Sequence, residues 1–249
     1  MQFDSDALAV IAAMTTSPPM PQRRVEINNL VTRLKSAGIW TGLDAMWMLA
    51  AQDPQAALVN WKAPGTFTGT LSGTIPFVGD RGFTGNGTTG RIGTGWTPST
   101  SAVNFTLNDA SMWVWVLTDL QSNNQDIGCR SDANANRSEI STRSASDRLN
   151  CFINSNNSTQ PVVATSIGLS SSRRTSSTAV ASFRNGVTQG SGTVTSTALP
   201  TVEMWLCGSG PATFSARQVA FGAVGASLSG LELSFYQILL QYMQAVGAA

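Results

Sequence analysis

The segment Asp80-Arg81-Gly82-Phe83-Thr84-Gly85-Asn86-Gly87-Thr88-Thr89-Gly90-Arg91-Ile92-Gly93-Thr94-Gly95 constrains the fold of this chain more than any other. It lies where a helix-patterned N-terminus gives way to a long Ser/Thr/Gly-rich region of two-residue periodicity. Two short alternating runs, around Phe83 and Ile92, flank an Asn-Gly pair that takes positive φ at little cost. That chemistry predicts a hairpin and a body built of strands. Gly85-x-Gly87-x-x-Gly90 matches a dinucleotide fingerprint in letters alone. A strand pattern follows it where a helix N-terminus is needed to hold a pyrophosphate, so the glycines read as turn residues.

Beyond Thr66, alternation predicts strands at 74–78, 82–84, 91–94, 110–118, 126–130, 137–142, 148–153, 162–169, 178–184, 187–194, 201–207 and 217–225. Ser111-Met112-Trp113-Val114-Trp115-Val116-Leu117 is apolar on both faces and reads as a central strand. Asn185-Gly186 predicts a type I′ hairpin turn. Many short strands with turn residues between them predict a sandwich or jelly roll.

The flanks are helical. Ser5 is placed to cap a helix over 6–14, and Pro21 opens a second through about Ala37, with Gly38 as its stop. Leu43, Met46, Trp47 and Leu49 suggest a third helix over 42–51, and Asp53-Pro54 starts a short turn through Val59. At the other end, Ser229-Gly230-Leu231-Glu232 has capping-box spacing before an apolar stripe of Leu231, Phe235, Ile238, Leu239, Tyr242 and Val246. The organisation expected is a helical segment over 1–62 and a sandwich over 63–249 ending in a helix over 229–246. The apolar faces of the N-terminal helices need a partner, for which the sandwich behind them is the obvious one, and the C-terminal helix must pack on the sandwich or on a neighbouring subunit. Leu30, Leu34, Trp40, Trp47, Phe235, Leu239 and Tyr242 are the candidates for docking on such a neighbour. Trp40, Trp47 and Trp61 read as packing anchors, with ligand stacking as the alternative.

Composition excludes several function classes. Charged residues are 12% of the 249, about half the usual share, and the net charge is +1. A nucleic-acid partner is not expected, because no basic field gathers phosphate. No apolar run reaches the ~20 residues of a membrane span, and the acidic start Met1-Gln2-Phe3-Asp4 has no basic leader region. With no histidine, the chain has no Ser-His-Asp or Cys-His constellation. Three cysteines, Cys129, Cys151 and Cys207, have no Cys-x-x-Cys spacing for a thiolate metal site. They read as buried free thiols, with a Cys129–Cys151 bridge as the alternative if their strands adjoin.

Glycoside hydrolysis needs two carboxylates across the scissile bond. Glu139 and Glu203 stand on separate strands, each without an acidic neighbour two residues on, so catalytic residues and enzyme activity are not expected. A sugar site needs an aromatic platform among neutral hydrogen-bonding groups, and Trp96, Trp113, Trp115 and Trp205 are the candidates. Trp113 and Trp115 share one face of one strand, either in the core or along a groove.

The N-terminal runs 24–40 (RVEINNLVTRLKSAGIW), 43–47 (LDAMW) and 56–62 (AALVNWK), the Asp80–Gly95 stretch, and Ala220-Phe221-Gly222-Ala223-Val224-Gly225 with Leu228-Ser229 carry a resemblance. They are similar to the concanavalin A-like (laminin-G-like) jelly-roll domains of tailed-bacteriophage virion proteins. The likeness covers both ends and the first third of the chain. It implies a jelly-roll β-sandwich with N-terminal helices and a C-terminal helix, serving as a structural tail, fibre or head-associated component. It also implies assembly in the host cytoplasm, other virion proteins as partners, self-association and contact with host glycans. No catalytic residues carry over. The competing readings are a freestanding lectin-like module and a glycan depolymerase. No cofactor is expected apart from calcium, which laminin-G-like domains often hold at a loop rim. Asp126, Asp132 and Asn134 are the oxygen ligands that implication points to, although Asp132-x-Asn134-x-Asn136 is followed by Arg137 and Arg143 where an EF-hand needs Gly and Glu.

Overall fold

Alternating side chains build two antiparallel sheets that face each other across one apolar layer. The computed structural model describes residues 2–131, 136–210 and 212–249. In chain order the elements are α1 (Ser5–Ala13), α2 (Pro21–Ser36), β1 (Leu43–Met48), α3 (Pro54–Ala57), β2 (Thr70–Ser72), β3 (Phe77–Val78), β4 (Gly82–Thr84) and β5 (Arg91–Gly93). Next come α4 (Pro98–Ser101), β6 (Ala110–Val116), β7 (Ile127–Ser131), β8 (Asn136–Ser141), β9 (Asn150–Phe152), β10 (Ser158–Thr159), β11 (Gly168–Arg174) and β12 (Ala179–Arg184). The last are β13 (Val187–Thr193), β14 (Trp205–Leu206), β15 (Gly208–Gly210), β16 (Thr213–Phe214), β17 (Gln218–Gly225) and α5 (Glu232–Ala245).

The first sheet runs β13-β12-β11-β6-β17-β4-β3, with β1 also paired to β17. The second runs β10-β9-β8-β7-β14-β5-β2, and β15-β16 is a separate small hairpin. Met112, Val114 and Val116 face Ile92, Leu206, Ile127 and Ile140 between the sheets, all fully buried. Strand β6 is central and buried along its whole length, as its two-sided apolar sequence requires. The Asn185-Gly186 turn is also as expected, with φ of 49° and 75° joining β12 to β13.

The Asp80–Gly95 stretch is not a hairpin. Strand β4 pairs with β3 and β17 in the first sheet, while β5 pairs with β14 and β2 in the second. Residues 85–90 therefore cross between the layers. The Asn86 side-chain oxygen accepts backbone N–H bonds from Thr88, Thr89 and Gly90 at 3.0, 2.8 and 2.8 Å. This Asx-type turn uses the same residues that a hairpin would.

The helix expected over 42–51 is strand β1, in register with β17 from Met46↔Ala223 to Met48↔Phe221. A short run buried on both faces has the same letters in either conformation, and tertiary pairing decides. The segment 1–62 thus contributes a strand to the first sheet. The strand expected over 162–169 also fails: β11 begins at Gly168 and runs through Ser170, Ser171 and Ser172, all buried. Its sequence is polar, but Arg174 at its end is fully buried and donates to the carbonyls of Ile153, Ser176, Ser177 and Val194. The Arg174 guanidinium is thus buried against backbone carbonyls, which leaves no apolar signature in the sequence. Asp4, rather than Ser5, caps α1, accepting from Asp6 N at 2.9 Å. Ser229 does not cap α5; instead Glu232 accepts from Gly230 N at 3.0 Å.

Helices α2 and α5 pack against each other, and α5 lies on the outer face of the first sheet. Phe235 meets Trp113 edge-on at 4.8 Å and Phe221 at 6.0 Å, and Tyr242 meets Trp61 at 5.7 Å. Leu30, Leu34, Trp40, Trp47, Phe235, Leu239 and Tyr242 are each no more than 4% exposed and belong to one core. The docking role expected of these seven is corrected: their stripes are covered by the chain's own sandwich and by each other. Among the described residues, no helix is long and apolar enough to cross a membrane.

The cysteines are free and buried. Cys129 on β7 and Cys151 on β9 are separated by β8, which pairs with both. Burial pushes all three thiols above their ordinary range, with the charge of Glu139 adding to the effect at Cys129 and that of Asp126 at Cys207. An aromatic disulfide reagent at about pH 8 is expected to leave the native protein unmodified and to label all three thiols in denaturant. Rapid labelling of the folded chain would mean that one of these sites opens.

Candidate functional site

Register across the second sheet places one row of residues on its outer face. Thr70, Gly93, Trp205, Gly128, Glu139, Phe152 and Ser158 are successive cross-strand partners from β2 to β10. The adjacent row Ile92, Leu206, Ile127, Ile140 and Cys151 points into the core and is almost fully buried. Two-residue periodicity then puts Ser72 and Arg91, paired with each other, beside the outer row.

Glu139 lies in that row beneath the β15-β16 hairpin and is fully buried. Arg130 donates to both of its oxygens at 2.7 and 3.2 Å, Arg137 donates at 3.2 Å, and the Ser209 hydroxyl donates at 2.7 Å. Arg137 also lies 3.6 Å over the Phe152 ring. This half of the face is sealed, and its carboxylate is fully engaged.

The other half is open. Over the outer face of β2 and β5 lies a hollow of about 430 Å³ lined by Phe67, Thr68, Thr70, Ser72, Arg91 and Glu203, with Gly93, Thr94 and Gly95 as its floor. Glu203 is fixed there: its oxygens accept from Gly95 N at 2.8 Å and from Trp205 Nε1 at 3.2 Å. The carboxylate lies over Gly93, where a β-carbon would come within 2.9 Å of Glu203 Oε1. Trp205 is flanked by glycine on both neighbouring strands, Gly93 and Gly128. Its indole is covered by the Arg91 guanidinium, 3.9 Å from the ring centroid, and stacks on Phe214 at 6.1 Å. None of the other residues lining this hollow is acidic, so Glu203 has no second carboxylate facing it.

The four tryptophans expected to form a sugar platform are not brought together. Trp96 is fully buried against Phe105, and Trp113 is fully buried under α5 with its Nε1 donating to Ser111 Oγ at 2.8 Å. Both are corrected from contact residues to core. Trp115 stacks on Tyr236 at 5.7 Å and borders a second hollow of about 480 Å³ with Arg81, Asn185 and Leu240. Only Trp205 adjoins the hollow on the second sheet, as a support beneath Arg91. Arg91, Thr70 and Ser72 were not among the residues chosen from sequence. The signal that could have found them is alternation in 91–93 and 70–72, where Arg91 and Ser72 fall opposite the apolar Ile92 and Leu71.

The calcium reading loses one of its oxygens. Asp126 is fully buried and ion-paired with Arg217 Nη1 at 3.0 and 2.9 Å. It also accepts from the Ser215 hydroxyl at 2.6 Å and from the Thr142 hydroxyl at 2.7 Å. Its charge is already neutralised by the guanidinium. Asp132 and Asn134 lie outside the described residues. Among the described residues no cluster of three Cys, Asp or Glu side chains is placed to hold a metal ion.

No protein-family model matches the sequence, and no curated protein does. Solved structures share the fold. Domain 4 of AbnA, a GH43 extracellular arabinanase from Geobacillus stearothermophilus solved with arabinotriose, superposes with a TM-score of 0.55 at 16% identity, over 78% of this chain and 98% of that one. Trypanosoma rangeli sialidase in complex with sialic acid gives 0.53 at 10% identity, over 87% of this chain and 39% of that one. The receptor-binding domain of a botulinum neurotoxin C/D mosaic serotype gives 0.52 at 11% identity, over 83% and 52%. The chain thus spans nearly all of the arabinanase domain, but only about two-fifths of the sialidase and half of the neurotoxin domain. At these identities the shared property is the β-sandwich.

Proposed function

We propose that this protein is a carbohydrate-binding β-sandwich without catalytic function, carried as a structural component of a tailed-phage particle. The observation that carries the binding half is the open hollow on the second sheet. It combines the neutral hydroxyls of Thr70 and Ser72 with two charged groups held in place by the fold. Its volume of about 430 Å³ is that of a small-molecule site. A binding role is supported over a depolymerase by the state of the two carboxylates weighed for hydrolysis. Glu139 is buried in ion pairs, and Glu203 faces no second acid across the hollow. The structural neighbours include an arabinanase domain solved with arabinotriose and a sialidase solved with sialic acid, which support the sugar-binding reading by analogy of fold.

The virion half is supported by the sequence resemblance and by a surface of neutral polar residues. Partners on the particle, host-cytoplasmic assembly and self-association are part of the same proposal. The freestanding lectin is the second reading. It is favoured by helices that pack on their own sandwich and not on an open face.

The binding test is a titration of the whole chain against a panel of bacterial surface oligosaccharides. A subset should bind, and Arg91→Ala with Glu203→Ala should weaken that binding by at least about tenfold with melting nearly unchanged. A folded protein that binds none of the panel overturns the sugar-binding reading. Peptide mass spectrometry of purified particles tests the other half: absence from the particle leaves the freestanding lectin.

A further inference from the structure

We infer that the hollow on the second sheet receives an acidic glycan, with a sugar carboxylate bound by Arg91. This rests on the sugar-binding reading of the same site and names its ligand class. The deciding observation is what covers Trp205. A neutral sugar stacks its C–H face on an open aromatic ring, but here the guanidinium of Arg91 occupies the ring at 3.9 Å. At that distance the planar group lies against the indole, which restrains it before any ligand arrives.

Arg91 is also unspent. Among the described residues, no carboxylate lies within ion-pair distance of it, and its Nε is buried with no hydrogen-bond partner. Arg23, Arg130, Arg137, Arg143, Arg173 and Arg217 by contrast are all paired with carboxylates. A half-buried guanidinium that lines a hollow and lacks a protein acceptor is a receptor for a planar oxyanion, which it can grip through two parallel N–H bonds.

Glu203 gives the site polarity. Its oxygens are oriented by Gly95 and Trp205, leaving lone pairs for sugar hydroxyls, while its charge repels an anionic group placed at that end. The hydroxyls of Ser72, paired in register with Arg91, and of Thr70 complete the rim. The ligand is therefore held carboxylate toward Arg91 and hydroxyls toward Glu203.

The test is calorimetric titration of the whole chain with oligosaccharides containing uronic or nonulosonic acids. Each is paired with its carboxyl-reduced neutral form and with a sulfated neutral oligosaccharide. The carboxylated form should bind at least about tenfold more tightly than the reduced form, and its affinity should fall as salt rises. Arg91→Gln should abolish that discrimination, and Arg91→Lys should keep part of it. Melting should stay close to wild type in both variants, since the Arg91 side chain makes no hydrogen bond or ion pair with the described residues. Equal binding of acidic and reduced forms overturns the inference and leaves the sugar-binding reading standing. Preference for the sulfated probe overturns the carboxylate assignment. Binding of none of the probes, together with none of the wider neutral panel, overturns both.

Discussion

Arg217→Met is expected to destabilise the protein by about 3–5 kcal/mol, lowering its melting temperature by roughly 10 °C for a chain of this size. Arg217 and Asp126 are both fully buried. The guanidinium spans both Asp126 oxygens at 3.0 and 2.9 Å and donates to the carbonyls of Leu120 and Ser122 at 2.8 and 3.2 Å, as well as to that of Arg143. It ties the 118–126 segment to the start of β17 and to the loop after β8. Methionine fills much of the volume but leaves the Asp126 carboxylate buried without its counter-charge and takes the strongest donor from the Leu120 carbonyl, whereas Ser141 Oγ and Ser122 N still donate to the Ser122 and Arg143 carbonyls. The cost therefore comes from what is orphaned rather than from the attraction lost. Pairing the change with Asp126→Asn should restore part of the stability, and urea unfolding of the four proteins in a double-mutant cycle reads the coupling. A single-variant loss below about 1 kcal/mol would mean that water reaches the pair in solution.

Phe235→Ala is expected to cost about 3–5 kcal/mol. Phe235 is fully buried between Trp113 and Phe221, meeting both edge-on, so its removal leaves a cavity and breaks two aromatic contacts. This variant separates two roles for α5. A helix that docks on another subunit would lose assembly on truncation but keep its monomer stability. A helix that closes its own sandwich loses the monomer's stability first. Leu233→Ala on the same helix, at a side chain 49% exposed, should stay within about 0.5 kcal/mol of wild type. Denaturation of the isolated protein measures both. An unchanged midpoint for Phe235→Ala would return α5 to a docking role.

The elements legible in sequence were those whose local chemistry and tertiary setting agree. Strand β6 is apolar on both faces because it is central, and Asn185-Gly186 makes its turn because positive φ is needed at both positions. Helix α2 begins at Pro21, where the missing N–H is no loss. Elements misread were those whose letters serve two structures. Residues 43–48 satisfy a helix or a buried strand equally, and pairing with β17 chose the strand. Asn86-Gly87 suits a hairpin or an Asx turn, and the demand that β4 and β5 enter different sheets chose the turn. Strand β11 was hidden by its serines, which are buried in the sheet yet give the run no apolar pattern.

The site divides in the same way. Trp205 was visible as an aromatic in a strand, and Glu203 as an isolated carboxylate. Their juxtaposition with Arg91 was not, because β5 and β14 are more than a hundred residues apart in sequence and become neighbours only by sheet order. The sequence by itself determined that this chain is a β-sandwich with helical ends, through the period of its apolar residues and the chemistry of its turns. Tertiary structure chose between the two partners open to the helices' stripes, taking the chain's own sandwich over a neighbouring subunit. It also decided that one half of the outer sheet face would be sealed over Glu139 while the other stayed open around Arg91. Register, a long-range property, assigns each outward side chain its neighbours, and no local pattern carries that information.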